Sequence, residues 1–250
     1  MWQYRELIIN LTIVDLKKRY ESNILGFVWQ FLSPLLLAIV LYIVFKNLFA
    51  QEEFFAIKLL VGIMAWRFFS ITTGACLASI VSKSALVTRV FIPRKILVFS
   101  TALSGLISSL FEFIILIPMI FVLLGPVPAT IALYPLIHLL YFPLIYGIGL
   151  LLSALYVYVR DLNQIWPVFL QMLFFLCPII YPLSIVPPWY MTYYMLNPLT
   201  RLILIYRDVM IVGKLPSIED IAVVIGFTAL ALLLGNYVFG KLERRFAELI

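Results

Sequence analysis

The chain has 250 residues, 64% of them apolar and only 12% charged, with a mean hydropathy of +1.11. Such a composition lies far outside the soluble range and identifies a polytopic membrane protein. The net charge of +6 does not point to nucleic acid, because the basic residues flank apolar runs and form no exposed basic domain.

Residues 1–24 carry Arg5, Glu6, Asp15, Lys17, Lys18 and Arg19, and no apolar core follows a short basic head as a signal peptide requires. The N-terminus is therefore expected in the cytosol. At helical spacing Tyr4, Leu7, Ile8, Leu11 and Val14 form one apolar stripe, while Ile9, Ile13 and Leu16 form a second. Two stripes predict a helix on the membrane surface pressed against both lipid and protein, a simple anchor being the alternative. Residues 25–45 then form the first span, with Trp29 at the interface and Pro34 near the start. Lys46, Glu52, Glu53 and Lys58 mark a polar turn on the other side.

The second span, 57–81, is interrupted by Arg67, and the third, 96–124, by Glu112. Between them, residues 82–95 hold Lys83, Arg89, Arg94 and Lys95 with no acid, so this loop belongs on the cytosolic side. Its interior, including Leu86, Val90 and Phe91, is too apolar for a solvated linker, and Pro93 ends any helix there. An apolar centre with a basic rim suggests a docking element.

Gly125, Pro126 and Pro128 mark a loop before the fourth span, 131–159, which Arg160 and Asp161 close. Spans at 162–181 and 221–240 complete the set. With the N-terminus inside, the cytosolic segments hold Arg5, Lys17, Lys18, Arg19, Lys83, Arg89, Arg94, Lys95, Arg160, Lys241, Arg244 and Arg245. Only Lys46, Lys58, Arg201, Arg207 and Lys214 fall outside, a bias that orients the protein with both termini cytosolic. The expected fold is an all-α membrane protein of six transmembrane helices: an N-terminal amphipathic helix (1–24) followed by a transmembrane domain (25–250).

The external segment 182–220 opens with Pro182, Pro187 and Pro188, continues through Trp189, Tyr190, Tyr193 and Tyr194, and turns at Asn197 and Pro198. The apolar stretch that follows bears Arg201, Arg207 and Asp208 and is too short to span. A pair of short helices dipping into the outer leaflet fits, provided protein covers the broken backbone. The aromatic residues suit either an interfacial belt or a pore lining.

Catalytic patterns are lacking: Gly213 and Lys214 stand alone without a phosphate-binding loop, and the one histidine, His138, reads as interfacial or helix-bonded. Cys76 and Cys177 lie in apolar runs and read as small buried hydrophobes. Arg67 and Glu112 differ, because a charge near the centre of a span costs about 2.5 to 3.5 kcal/mol even on a lenient insertion scale. They could form a structural pair or line a wet path.

Several ordered motifs now coincide. Arg19, Tyr20, Ser22, Leu25, Gly26 and Trp29 with Pro34, the loop Phe91-Ile92-Pro93-Arg94, Arg160-Asp161-Leu162, Pro178 to Pro182, Asn197-Pro198-Leu199 and Tyr206-Arg207 resemble the membrane subunit of ABC-2 type polysaccharide exporters, closest to the O-antigen permeases. The resemblance implies a homodimer in the bacterial inner membrane, with two copies of a separate cytosolic ATPase that alone bind ATP and Mg, leaving this chain no cofactor and no enzymatic site. It implies a lipid-linked polysaccharide as cargo.

It also implies an interface helix, with Leu7, Leu11, Asp15, Arg19 and Tyr20 among its residues, and an ATPase-coupling loop using Leu86, Arg89, Val90, Phe91, Pro93 and Arg94. Trp189, Tyr190, Tyr193, Tyr194, Asn197 and Pro198 become candidate channel or gate residues. Flat aromatic faces pack on sugar C–H groups while OH and NH groups bond hydroxyls. An exporter of a drug or small lipid is the nearer alternative. An ion-coupled carrier using Arg67 and Glu112 is the more distant one, and the halves show none of the internal repeats usual in such carriers.

The topology can be tested by labelling. Cysteines placed at Gln51 and Val127 should react with impermeant thiol reagents added outside, and one at Ser84 only from the inner face. Labelling of the Ser84 position from outside would refute the orientation.

Overall fold

The computed structural model describes residues 2–20, 26–49, 51–89 and 92–249. Its helices are α1 (Arg5–Tyr20), α2 (Gly26–Phe45), α3 (Phe55–Ala78), α4 (Ser84–Arg89), α5 (Lys95–Leu124), α6 (Tyr134–Tyr158), α7 (Leu162–Leu176), α8 (Pro188–Met195), α9 (Pro198–Arg207), α10 (Ile218–Leu242) and α11 (Phe246–Leu249). No strand occurs among the described residues. The chain is an all-α, multi-pass membrane protein. Among the described residues, α3, α5, α6 with its preceding turn, and α10 are long and apolar enough to cross a bilayer, while Phe31–Phe45 and Leu162–Leu176 are shorter apolar helices.

α3 is the centre. Leu59, Val61, Ile63, Met64 and Ala65 are all fully buried, so consecutive positions around its whole circumference meet protein. A helix apolar on every side is stable only where neighbours surround it. Here α2, α5, α6, α7 and α9 do so. The outward faces of α2, α7 and α10 expose Val40, Ile43, Met172, Phe175 and Leu233, apolar side chains that suit hydrocarbon.

α6 and α10 share the most extensive helix contact, and glycines make it close. A Cβ at Gly147 would stand 2.7 Å from the Ala231 carbonyl carbon, and one at Gly235 would collide with the Gly147 carbonyl. Membrane helices lack a hydrophobic drive to associate, and small residues let their backbones approach until dispersion contacts hold them.

Two expectations are corrected. The run 162–181 is helical only to Leu176, because Cys177 precedes Pro178 and takes extended angles of φ −107° and ψ 150°. The first helix does turn Ile8, Leu7 and Leu11 inward and Ile9 and Ile13 outward, but Val14 leaves the inward stripe and Thr12 joins it. Ile8 and Thr12 are its buried residues, Leu7, Leu11, Asp15 and Arg19 are half-buried, and Val14 is exposed along with Ile9 and Ile13. α1 also follows a span instead of lying across the bundle, as its contacts advance in step with α5. Thr12 Oγ1 donates to the Ser100 carbonyl at 3.4 Å, and Tyr20 OH donates to Ser108 Oγ at 2.9 Å.

Replacing Gly147 or Gly235 by valine should overpack the α6–α10 seam and cost about 1 to 3 kcal/mol. A lowered thermal midpoint of the purified protein in detergent would register this, and an unchanged midpoint would contradict the packing described.

Candidate functional site

Two clusters of polar side chains stand out, one at each end of the bundle. At the end carrying α1, α4 and the C-terminal segment, Lys83 Nζ donates to Asp15 Oδ2 at 2.6 Å and to Thr101 Oγ1 at 3.0 Å. Thr101 Oγ1 is 2.9 Å from the same carboxylate. Three elements distant in sequence are thus pinned at one point. Both charged side chains are largely covered, so removing one would strand the other in a poorly hydrated place.

Loop 82–95 starts with a 3-10 turn over Val81–Lys83, continues as α4, and re-enters α5 at Lys95. Val87 is its buried anchor, Leu86 is half-buried against the same apolar cluster, and Pro93 is exposed. Leu86 therefore serves partly as an internal contact. Arg89 ends α4, while Val90 and Phe91 lie outside the described residues. Arg94 donates to the Glu243 carbonyl, and Lys95 Nζ donates to Asn236 Oδ1 at 3.0 Å.

Higher in the bundle, Arg67 Nε lies 3.9 Å from Glu112 Oε2. Arg19 lines the same narrow cleft with Thr72, Ser108 and Ser109. On its other side Arg67 borders an open cavity of about 370 Å³ between α2, α3 and α7. Trp66, Phe174 and Phe175 give this cavity ring faces, and Ser70 and Gln171 give it hydrogen-bonding groups. The two intramembrane charges are therefore paired and one of them also borders a cavity.

At the opposite end, α8 and α9 form the broken pair. Asn197 caps α9 by accepting from the Leu199 N–H at 3.0 Å, and Pro198 takes the first helical position, where its missing N–H is harmless. Almost all of α9 is buried, so it belongs to the core and not to the surface. Arg201 donates to the Met195 carbonyl at 2.7 Å, to Asp220 Oδ1 at 2.5 Å and to Glu219 Oε1 at 2.7 Å. Arg207 donates to the Lys58 carbonyl at 3.0 Å and to the Ile179 carbonyl at 2.9 Å.

The four aromatic residues separate. Trp189 and Tyr193 are 78% and 68% exposed and Tyr190 is 39%, whereas Tyr194 is buried with its OH 3.1 Å from Tyr181 OH. His138 is wholly buried, 3.1 Å from Ser109 Oγ and 2.9 Å from Tyr206 OH, with its Nδ1 also 3.1 Å from the Tyr134 carbonyl one turn back. It is helix-bonded as one of the two expectations held, and it is not interfacial. Cys76 and Cys177 are free and buried.

A family profile described as ABC-2 type transporter matches residues 6–211. The chain belongs to the ABC-2 type transporter family. Within that family it is 30% identical over 255 residues to an O-antigen export system permease protein RfbA of Klebsiella pneumoniae, covering 98% of this chain and 95% of the relative. It is 29% identical over 257 residues to the protein of the same name from Myxococcus xanthus, covering 100% and 97%. Members of this kind are transport subunits.

The sequence pattern shows Lys83 only as one more loop cation, and it gives no reason to single out Trp66 or Gln171 within their apolar runs. The signal for Arg201 and Arg207 was present: both sit on the side that the positive-inside bias leaves poor in cations. Arg207→Met should remove the donor from the Ile179 carbonyl and cost about 1 to 3 kcal/mol. A fall in thermal midpoint with faster proteolysis near Pro182 would confirm it, and wild-type stability would exclude the role.

Proposed function

We propose that this chain is the membrane-spanning permease subunit of an ATP-driven exporter that moves a lipid-linked polysaccharide of the O-antigen kind out across the bacterial inner membrane. The observation that carries the reading is the near full-length similarity to O-antigen export permeases, which extends through the N-terminal helix, the loop and the broken helices alike. In this reading α2 and α7 supply the two shorter spans, giving six, with both termini and loop 82–95 in the cytosol. The permease works as a homodimer over two copies of a separate ATPase, which binds ATP and Mg.

The parts then divide the work. Loop 82–95 receives the ATPase movement, and α1, tied to it through Asp15 and Lys83, moves with it. Trp189, Tyr190 and Tyr193 offer exposed ring faces at the outer mouth, where sugars can stack while their hydroxyls find OH groups. The cavity beside Arg67, with Trp66, Phe174, Phe175 and Gln171, offers the same combination at mid-depth. A glycan path made of rings and amides tolerates a moving chain, because no single contact is strong enough to trap it.

The test is co-expression with the partner ATPase, co-purification, and reconstitution in lipid with the lipid-linked glycan. Export should require ATP and persist without an ion gradient. Gradient-driven export in the absence of ATP would defeat the proposal. Within that assay, Phe91→Ala with Arg89→Glu should weaken the hold on the ATPase by about 1 to 2 kcal/mol or uncouple hydrolysis from export. Normal coupling would remove the loop from its assigned role.

A further inference from the structure

Loop 82–95 does not stand alone: it rests on residues 243–249, a segment to which its sequence assigns no role. Phe246 has no exposed surface, and its ring meets Phe239 edge-on at 5.4 Å and Tyr158 at 6.4 Å. Arg94 donates to the Glu243 carbonyl and holds its guanidinium 5.9 Å over the Phe246 ring. Lys95 lies 5.9 Å over the ring of Phe239. From the end of α6 Tyr158 OH donates to the Leu242 carbonyl at 3.0 Å, and from the turn after it Arg160 Nη2 donates to the Leu249 carbonyl at 3.3 Å. α11 also touches α4 directly, and Val87 shares one buried cluster with Phe239 and Phe246.

A six-residue helix such as α4 cannot hold its own conformation, so its orientation is set by what it packs on. Its supports include α11, which it touches directly, and the buried cluster in which Val87 meets Phe239 and Phe246 beside residues of the spans. We propose that residues 243–249 are a positioning element of the coupling device: Phe246 and the Glu243 carbonyl fix the posture of loop 82–95 and pass its displacement to α10 and α6. This rests on the reading of that loop as the ATPase contact. A push on Arg94 is met at once by a ring and a carbonyl of the segment that continues the last span, and through Tyr158 and Arg160 by the fourth. Without that backing the loop can yield while the spans stay still.

The experiment uses the assembled permease and ATPase in lipid and reads glycan exported per ATP hydrolysed. Phe246→Ala should still co-purify with the ATPase while that ratio falls about fivefold or more. Phe246→Leu, which keeps an apolar filler but loses the ring beneath Arg94, should give a smaller fall, and it carries the test if the alanine variant does not fold. A role confined to stability would lower the yield of complex and leave the ratio intact, which would overturn the proposal. Uncoupling by Phe91→Ala with Arg89→Glu, together with normal ratios in both Phe246 variants, would overturn it while the loop reading stands. Normal ratios in all three would overturn both.

Discussion

A backbone carbonyl buried in hydrocarbon has no water to turn to, and the half of this protein that carries α8 and α9 is arranged around that obligation. Between Leu176 and Ile218 the chain breaks repeatedly, at Pro178, at Pro187 and Pro188, and at Asn197 and Pro198. Each break frees polar groups. Arg207 reaches across to the Ile179 carbonyl, and Gly62 on α3 leaves the room for it, since a Cβ there would stand 3.2 Å from the guanidinium. Arg201 closes the end of α8 and binds the two carboxylates that open α10. A guanidinium suits both places because its five donors can serve several acceptors in one plane. The cation needed by the backbone also supplies the glue between helices, which is why α9 sits inside the bundle.

The other end solves a related problem with a row of small polar side chains. Ser100, Ser104, Ser108 and Glu112 recur every four residues along one face of α5, all buried, and meet α1 and α3. A hydroxyl can turn its hydrogen to the carbonyl one turn back, as Thr101 does toward Leu97, and still accept from a neighbour. Such a row is inexpensive to bury and lets α1 lie close. The formal charges are placed where they have partners: Asp15 with Lys83, and Arg67 beside Glu112. Breaking either pair from one side strands the other charge.

How legible this was in the sequence depends on which rule applied. The apolar runs and the basic loop could be read directly, since hydropathy and charge bias respond to the membrane itself. The two apolar sides of α1 were legible, but Val14 was placed on the wrong one and the polar members of the buried face were missed, because apolar periodicity does not register Thr12 or Asp15. In a membrane protein the outward face is apolar as well, so Ile9, Ile13 and Val14 face out while Thr12 and Asp15 face α5. The end of α7 was misread for a similar reason: residues 177–181 are as apolar as a span, and only the extended angle demanded before Pro178 stops the helix. Phe246 gave no signal at all. One aromatic residue after a pair of arginines looks like a surface tail until Phe239, Tyr158 and Arg94 are seen around it.

Because both ends are tied to α3, the bundle has a common strut. At one end α3 runs into the turn that carries Lys83, and at the other its first turns present the Lys58 carbonyl and Gly62 to Arg207. Its 24 residues extend about 36 Å, most of a membrane's thickness. Packed side chains on every side make it stiff, since close-packed interiors shift as bodies and do not compress. A displacement entering at loop 82–95 cannot be absorbed within α3, so it must appear where α3 meets softer neighbours. Those are the junctions with few buried side chains, above all α7, which buries none of its residues fully, whereas the turn 177–181 that follows it is buried and held by Arg207. The exposed rings of Trp189 and Tyr193 lie just beyond that turn. Movement is therefore expected first in α7 and in the exposed start of α8, with the end of α8 and α9 held in place by Arg201 and Arg207.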